Sequence, residues 1–253
     1  MGDSLSALLR QSAGIAMDSE TRRTAFGAAE VDEWLGGGVR RDGVHEWYAA
    51  SIEDGACAAA MALLLAERRR EERQSILWLR ERRGERGAGH PYGPGLVDLG
   101  LDPDSIVLLR LGDVTAMLRA AADSVRHGGA ASVVLEVHGK APALDLTASR
   151  RLALAAARSD VMVQLVRSDT EPAASVAHSR WRVASAPSVA LEANAPGLPA
   201  FDLELLRHRG GREGLQCRLE WDRDKGCFQT PLSGGLSAPS VGGTDRADGR
   251  RAA

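Results

Sequence analysis

The residues most informative about chemistry lie between positions 50 and 57, where an apolar stretch ending at Tyr48 gives way to an alanine-rich run. A strand-to-helix turn favours phosphate, because the first helical amides are unpaired and the aligned peptide dipoles attract an anion. The turn reads Ala50-Ser51-Ile52-Glu53-Asp54-Gly55-Ala56-Cys57. Against the phosphate-loop pattern G-x-x-x-x-G-K-S/T, only Gly55 matches. Ala56 stands where a lysine would donate to the β- and γ-phosphate oxygens, and one such charged hydrogen bond is worth roughly 1.5–3 kcal/mol. Cys57 stands where a hydroxyl would ligate Mg²⁺, and a soft thiol suits that hard ion poorly. Ala50 adds a methyl where glycine normally allows unusual dihedrals, and Glu53 and Asp54 put negative charge inside an anion cradle. These changes point the same way. The turn is expected neither to bind ATP usefully nor to hydrolyse it, so the chain is read as a non-enzyme without cofactor or metal.

Other candidates are sparse. His45, His90, His127, His138, His178 and His208 are scattered without metal-ligand spacing, and Cys57, Cys217 and Cys227 form no C-x-x-C pair. No G-x-S-x-G elbow or H-E-x-x-H occurs. Arg180-Trp181-Arg182 is a candidate partner contact: in a strand Trp181 points to one face and both arginines to the other, and interfaces are enriched in Trp and Arg. Leu5, Leu8 and Leu9, at i, i+3 and i+4, form the apolar side of a short N-terminal helix that could serve as a contact arm.

These residues must be positioned by alternating elements. Gly43–Tyr48 reads as a strand, Ala56–Arg73 as a helix, 75–79 as a strand, 96–101 as a short helix and 106–109 as a strand. A helix over 114–127, a strand over 131–137, a helix over 145–158 and a strand over 161–166 follow. Strands apolar on both faces, alternating with helices, predict a mostly parallel sheet flanked by helices. Short strands near 181–183, 201–207, 216–221 and 226–229 predict antiparallel additions on one edge. The expected organisation is an N-terminal arm (1–20), one α/β domain (21–230) and a disordered tail (231–253) poor in large apolar side chains.

The balance of 32 basic against 34 acidic residues, net −2, argues against holding nucleic acid by bulk charge. No run of 18 apolar residues predicts a membrane span, and Met1–Ala16 does not read as a secretory signal, so a cytoplasmic protein is expected.

The segment Leu35-Gly36-Gly37-Gly38-Val39-Arg40-Arg41-Asp42-Gly43-Val44-His45-Glu46 resembles the lead into the first core strand and P-loop of RecA and its relatives. The element order that follows is similar, with Ser132-Val133-Val134-Leu135-Glu136 at the Walker B strand. Ser179-Arg180-Trp181-Arg182-Val183-Ala184-Ser185-Ala186-Pro187-Ser188, Phe201-Asp202-Leu203-Glu204-Leu205 and Leu219-Glu220-Trp221-Asp222 look like the C-terminal half of the ImuA family. The resemblance covers about residues 20–230. It implies a RecA-like core with a degenerate P-loop (Ala50, Gly55, Ala56, Cys57) and a degenerate Walker B site (Glu136). It also implies a non-catalytic accessory role in damage-induced translesion synthesis and SOS mutagenesis, with RecA, ImuB and an error-prone replicative-type polymerase as partners. Such a protein would recruit the mutasome or modulate RecA filaments.

The connections that correspond to RecA's DNA-binding loops, 139–146 and 168–179, hold little aromatic or basic content, so direct DNA binding is expected to be weak or absent. Glu81 and Glu136 fall near RecA's catalytic and metal-holding acids; without a lysine or hydroxyl they are read as solvated strand-end carboxylates, and Lys140 as a surface residue. Two rivals stay in view: a diverged ATPase that uses Glu81, Glu136 and an arginine supplied elsewhere, and a RecA-like cell-division inhibitor of the SOS response.

Overall fold

A computed structural model of the chain describes residues 23–82, 89–188, 190, 195–209 and 211–231; the expected Leu5, Leu8 and Leu9 helix and the tail beyond Pro231 lie outside them. Strand β1 (Arg23–Thr24) pairs antiparallel with β2 (Val39–Arg40), and α1 (Ala29–Trp34) lies between them in sequence. The glycine run is a backbone requirement here. Gly36, Gly37 and Gly38 have φ of 69°, 103° and 106°, and a Cβ on Gly38 would collide with the Thr24 carbonyl. This small unit was not legible as secondary structure in the sequence.

The main sheet begins with β3 (Val44–Ala49), followed by α2 (Gly55–Arg69), β4 (Ser75–Glu81), α3 (Gly93–Asp98) and β5 (Ile106–Leu111). Next come α4 (Val114–His127), β6 (Ala130–His138), α5 (Leu146–Ser159) and β7 (Met162–Ser168). The chain then adds β8 (Ser179–Ala186), β9 (Ala200–His208), β10 (Gln216–Asp222) and β11 (Cys227–Gln229). The described strands form a nine-stranded sheet in the order β11-β10-β9-β8-β3-β7-β6-β4-β5. From β8 to β5 neighbours run parallel, and β8-β9, β9-β10 and β10-β11 run antiparallel. The α/β class, the mostly parallel sheet and the antiparallel edge thus agree with the sequence reading.

Two helix boundaries differ from expectation. α2 stops at Arg69 instead of Arg73: Arg69 is buried and donates to the Asp160 carbonyl, and Arg70 turns extended. α3 starts at Gly93 because Pro94 suits a first helical turn, and it closes before Gly100, whose φ is 78°. By contrast α4 and α5 begin where their sequence placed them. Asp113 and Asp145 accept from Ala116 N and Ala148 N at 2.8 and 2.7 Å, satisfying otherwise unpaired helical amides.

One apolar layer packs α2 against Phe26, Trp47, Trp181, Trp221 and Phe228; the other packs α4 and α5 against Leu79, Val133, Leu135, Val163 and Leu165. Strand alternation assigns every sheet residue to one layer or the other. That assignment decides which polar groups meet at the strand ends.

Candidate functional site

In a parallel sheet, ligands bind beyond the carboxyl ends of the strands, here at the tips of β3, β4, β6 and β7 beside the start of α2. The altered turn follows β3 directly. Ala50 N donates to Val183 O at 2.8 Å, and the amides of Asp54 and Gly55 turn inward onto the carbonyls of Ser51 and Ile52 at 3.3 Å. Asp54 is buried and bound to the neighbouring strand: its Oδ1 accepts from Ser185 N at 2.8 Å and Ser185 Oγ at 2.9 Å, and its Oδ2 from Ser51 Oγ at 2.8 Å. Burial opposes its ionisation, but the Ser185 and Ser51 hydrogen bonds prevail and hold the carboxyl below the usual range. The turn is therefore fastened by an anion of its own.

Gly55 keeps a negative φ, and a Cβ there would meet the Ser168 side chain at an ordinary 3.6 Å. The surviving glycine is thus not demanded by local geometry. Ala50 and Ala56 are exposed, while Cys57 is half-buried. Burial, then the nearby Asp54 and Asp202, push the Cys57 thiol up to about 12, so it stays protonated near neutrality.

Glu136 corrects the expectation of a solvated strand-end acid. It is only 4% exposed and sits opposite Arg80 in the β4–β6 register. Arg80 Nε and Nη2 donate to its two oxygens at 2.8 and 2.9 Å, and the Trp78 indole N–H donates at 3.0 Å. His138 Nε2 lies 3.2 Å from the same carboxylate, and His138 Nδ1 lies 2.6 Å from Ser168 Oγ. Burial raises the Glu136 pKa, but hydrogen bonds from His138 and Arg80 outweigh it and leave a net lowering. Glu81, on the next residue of β4, belongs by alternation to the opposite face with Leu77 and Leu79, whereas Trp78 faces α2. The two acids do not converge. Lys140 is exposed, as expected.

A nucleoside triphosphate with its magnesium, which a RecA-like fold implies, does not fit this donor set. The position for a cation carries Ala56, two turn amides are internally used, and the acid at the metal position is neutralised by Arg80. No step is derived through that group.

The Arg180-Trp181-Arg182 candidate is placed with its expected alternation but with its groups engaged. Trp181 is fully buried and stacks on Trp47 with ring centroids 5.8 Å apart and planes 14° apart. Arg180 pairs with Glu46 at 2.6 Å and Arg182 with Glu204 at 2.6 Å. Arg180 also fastens the 168–179 connection, donating to Ser175 Oγ at 3.1 Å. Trp181 is thus a core residue rather than a presented contact. Sequence reasoning missed Arg80, His138, Ser168 and Ser185. A lone arginine in the otherwise apolar run Ile76-Leu77-Trp78-Leu79-Arg80 was the available signal, because a buried guanidinium requires a carboxylate.

Among the described residues no helix is long and apolar enough to cross a membrane, and no group of three His, Cys, Asp or Glu could hold a metal ion. No protein-family model matches the chain. The crystal structure of the RadB recombinase superposes with a TM-score of 0.55 at 16% identity, covering 82% of this chain and 99% of that one, which identifies the fold. Protein ImuA of Caulobacter vibrioides, from two strains, is 31% identical over 205 residues, spanning 75% of this chain and 80% of the relative. The chain therefore belongs to the ImuA family, on a RecA-like fold.

Proposed function

We propose that this chain is a non-catalytic, RecA-like accessory protein of damage-induced translesion synthesis. It holds other proteins in place, with RecA, ImuB and the error-prone replicative-type polymerase as its partners. It works in the cytoplasm, recruiting the mutasome or modulating RecA filaments. One observation carries the reading: at the site where a RecA-like ATPase would hold metal and phosphate, Glu136 is bound on both oxygens by Arg80. The ionised Asp54 inside the turn supports it, because an anion there repels phosphate. What such a chain retains is the shape of a RecA subunit, and a retained shape serves recognition.

Calorimetric titration of the full chain with Mg-ATP, together with co-purification against RecA and ImuB, tests this. No heat of binding up to millimolar nucleotide, with RecA or ImuB retained, is expected. Micromolar ATP binding with turnover would replace the reading by a diverged ATPase. Retention of the tubulin-like division protein instead of RecA or ImuB would replace it by a division inhibitor.

A further inference from the structure

Between α4 and α5, on the solvent side of the sheet, runs a groove of about 690 Å³. The half-buried Leu118, Ala122 and Ala148 and the buried Leu152 line it, and Arg119, Arg126, Arg151, Asp123 and Asp145 stand among its charged lining residues. Further along α5, Leu154 is 57% exposed and lies between Arg150, Arg151 and Arg158 at helical spacing.

The charge of this layer is not balanced. α5 carries Arg150, Arg151 and Arg158 with no acid within it, and α4 carries Arg119 and Arg126 against Asp123. Asp123 is taken by Arg126 at 2.7 Å, and the capping carboxylates of Asp113 and Asp145 accept from helical amides. Several arginines elsewhere are matched, as in Arg40–Asp42, Arg70–Glu67, Arg80–Glu136, Arg180–Glu46 and Arg218–Asp202. Arg119, Arg150, Arg151 and Arg158 make no hydrogen bond or ion pair among the described residues. Two unpaired arginines, Arg119 and Arg151, thus edge an apolar trough in a chain whose net charge is −2, with Arg150 and Arg158 elsewhere on α5.

We propose that the α4–α5 groove docks an acidic amphipathic helix of another protein, with leucine-class side chains in the trough and carboxylates on Arg119 and Arg151. A helix laid in a groove presents such anchors at i, i+3, i+4 and i+7. Nucleic acid fits less well: the trough offers alanine and leucine rather than aromatic faces for bases to stack on, and phosphate gains nothing from an exposed leucine. The inference rests on the accessory reading, since it supplies the surface by which a docking protein would hold a partner.

The probe is a fluorescein-labelled peptide of about 16 residues, glutamate-rich with leucines at that spacing, titrated by anisotropy against the full chain. Saturable binding is expected, weakened roughly tenfold by Arg119→Glu or Arg151→Glu and abolished by Ala122→Trp, which fills the trough. Arg73→Glu, exposed on another surface, is expected to leave it unchanged. Absence of binding, equal binding of a scrambled peptide, or indifference to both charge reversals overturns the proposal. Displacement of the peptide by an equimolar oligothymidylate would reassign the surface to nucleic acid and overturn it as well. RecA and ImuB co-purification on the unaltered chain is read separately. Retained partners with a failed peptide reject the groove alone, and a bound peptide with no partner rejects the named partners alone.

Discussion

Arg80 donates two nearly equal hydrogen bonds to Glu136, at 2.8 and 2.9 Å, with both side chains 5% exposed. A fork-to-fork pair of this kind is satisfied only as a pair, because each charge left alone would keep its desolvation cost without its partner. Arg80→Leu is therefore expected to destabilise the chain by about 3–5 kcal/mol. The double variant Arg80→Leu/Glu136→Leu should cost less than the sum of the two single changes, since it removes both charges together. Urea denaturation of the four proteins measures this, and additive losses would show that the two groups do not depend on each other.

Much of the fold was legible because its signals are local. The apolar runs of β6 and β7 and the helical periodicity of α4 and α5 give both type and approximate position, and Asp113 and Asp145 mark helix starts within one residue. The candidate site was legible only as a set of losses. Ala56 and Cys57 declare missing groups by their identity, but nothing local tells that Asp54 reaches Ser185, which is 131 residues away. The Arg80–Glu136 pair likewise depends on β4 and β6 being neighbours in register, a fact of sheet order that no single strand encodes. Trp181 shows the same limit. Its alternation with Arg180 and Arg182 was readable, but which face the core occupied was not, and that choice separates a contact residue from a buried one.

That buried position gives a prediction of very different magnitude for adjacent residues. Trp181 packs on Trp47 and Phe26, and its indole N–H donates to Ser179 Oγ at 2.9 Å. Truncation to Ala is expected to cost about 3–5 kcal/mol through the cavity it leaves. Arg182 and Glu204 are 42% and 35% exposed at their side chains, so Arg182→Ala should cost less than about 1 kcal/mol. Thermal unfolding followed by far-ultraviolet dichroism distinguishes the two, and comparable losses would contradict the assignment of Trp181 to the core.

Acid sensitivity should originate at the opposite end of the sheet, where His45, His178 and His208 stand edge to face with centroids 6.4 and 6.1 Å apart. His45 is fully buried, with Nε2 donating to the Arg40 carbonyl and Nδ1 accepting from Ser179 Oγ at 2.7 Å, so it is held neutral in one tautomer. Burial, reinforced by His208 and Arg40 and opposed by the Arg40 carbonyl and Asp42, lowers it from 6.5 to about 4. Burial and then His45, Arg40, His208 and Arg23 lower His178 to about 3. Both rings are harder to protonate folded than unfolded, so below pH 6.5 the unfolded chain binds more protons. Stability is accordingly full above pH 6.5 and declines as pH falls towards about 4, with His45 alone accounting for about 3 kcal/mol. Denaturant midpoints between pH 7.5 and 4.5 should fall with acid, and His45→Gln should flatten that slope even if it lowers the plateau. An unchanged slope in His45→Gln would remove this ring as the source.

Restoring the missing lysine should not restore a nucleotide site. Ala56→Lys would return one ammonium group, worth roughly 1.5–3 kcal/mol of phosphate contact in an intact loop. Here it would act beside Asp54, whose ionised carboxylate is held within two residues of the new cation by Ser185 and Ser51. The amides of Asp54 and Gly55 would still be directed at Ser51 and Ile52, and Glu136 would still be occupied by Arg80. Ala56→Lys/Cys57→Thr is therefore expected to gain less than about tenfold in Mg-ATP affinity by calorimetry. Asp54→Gly in the same background removes the competing anion and loosens the turn, and it should raise affinity further at a measurable cost in stability. Micromolar binding from the lysine alone would mean that the turn had kept its phosphate-ready shape and lacked only charge, which its internal hydrogen bonds contradict.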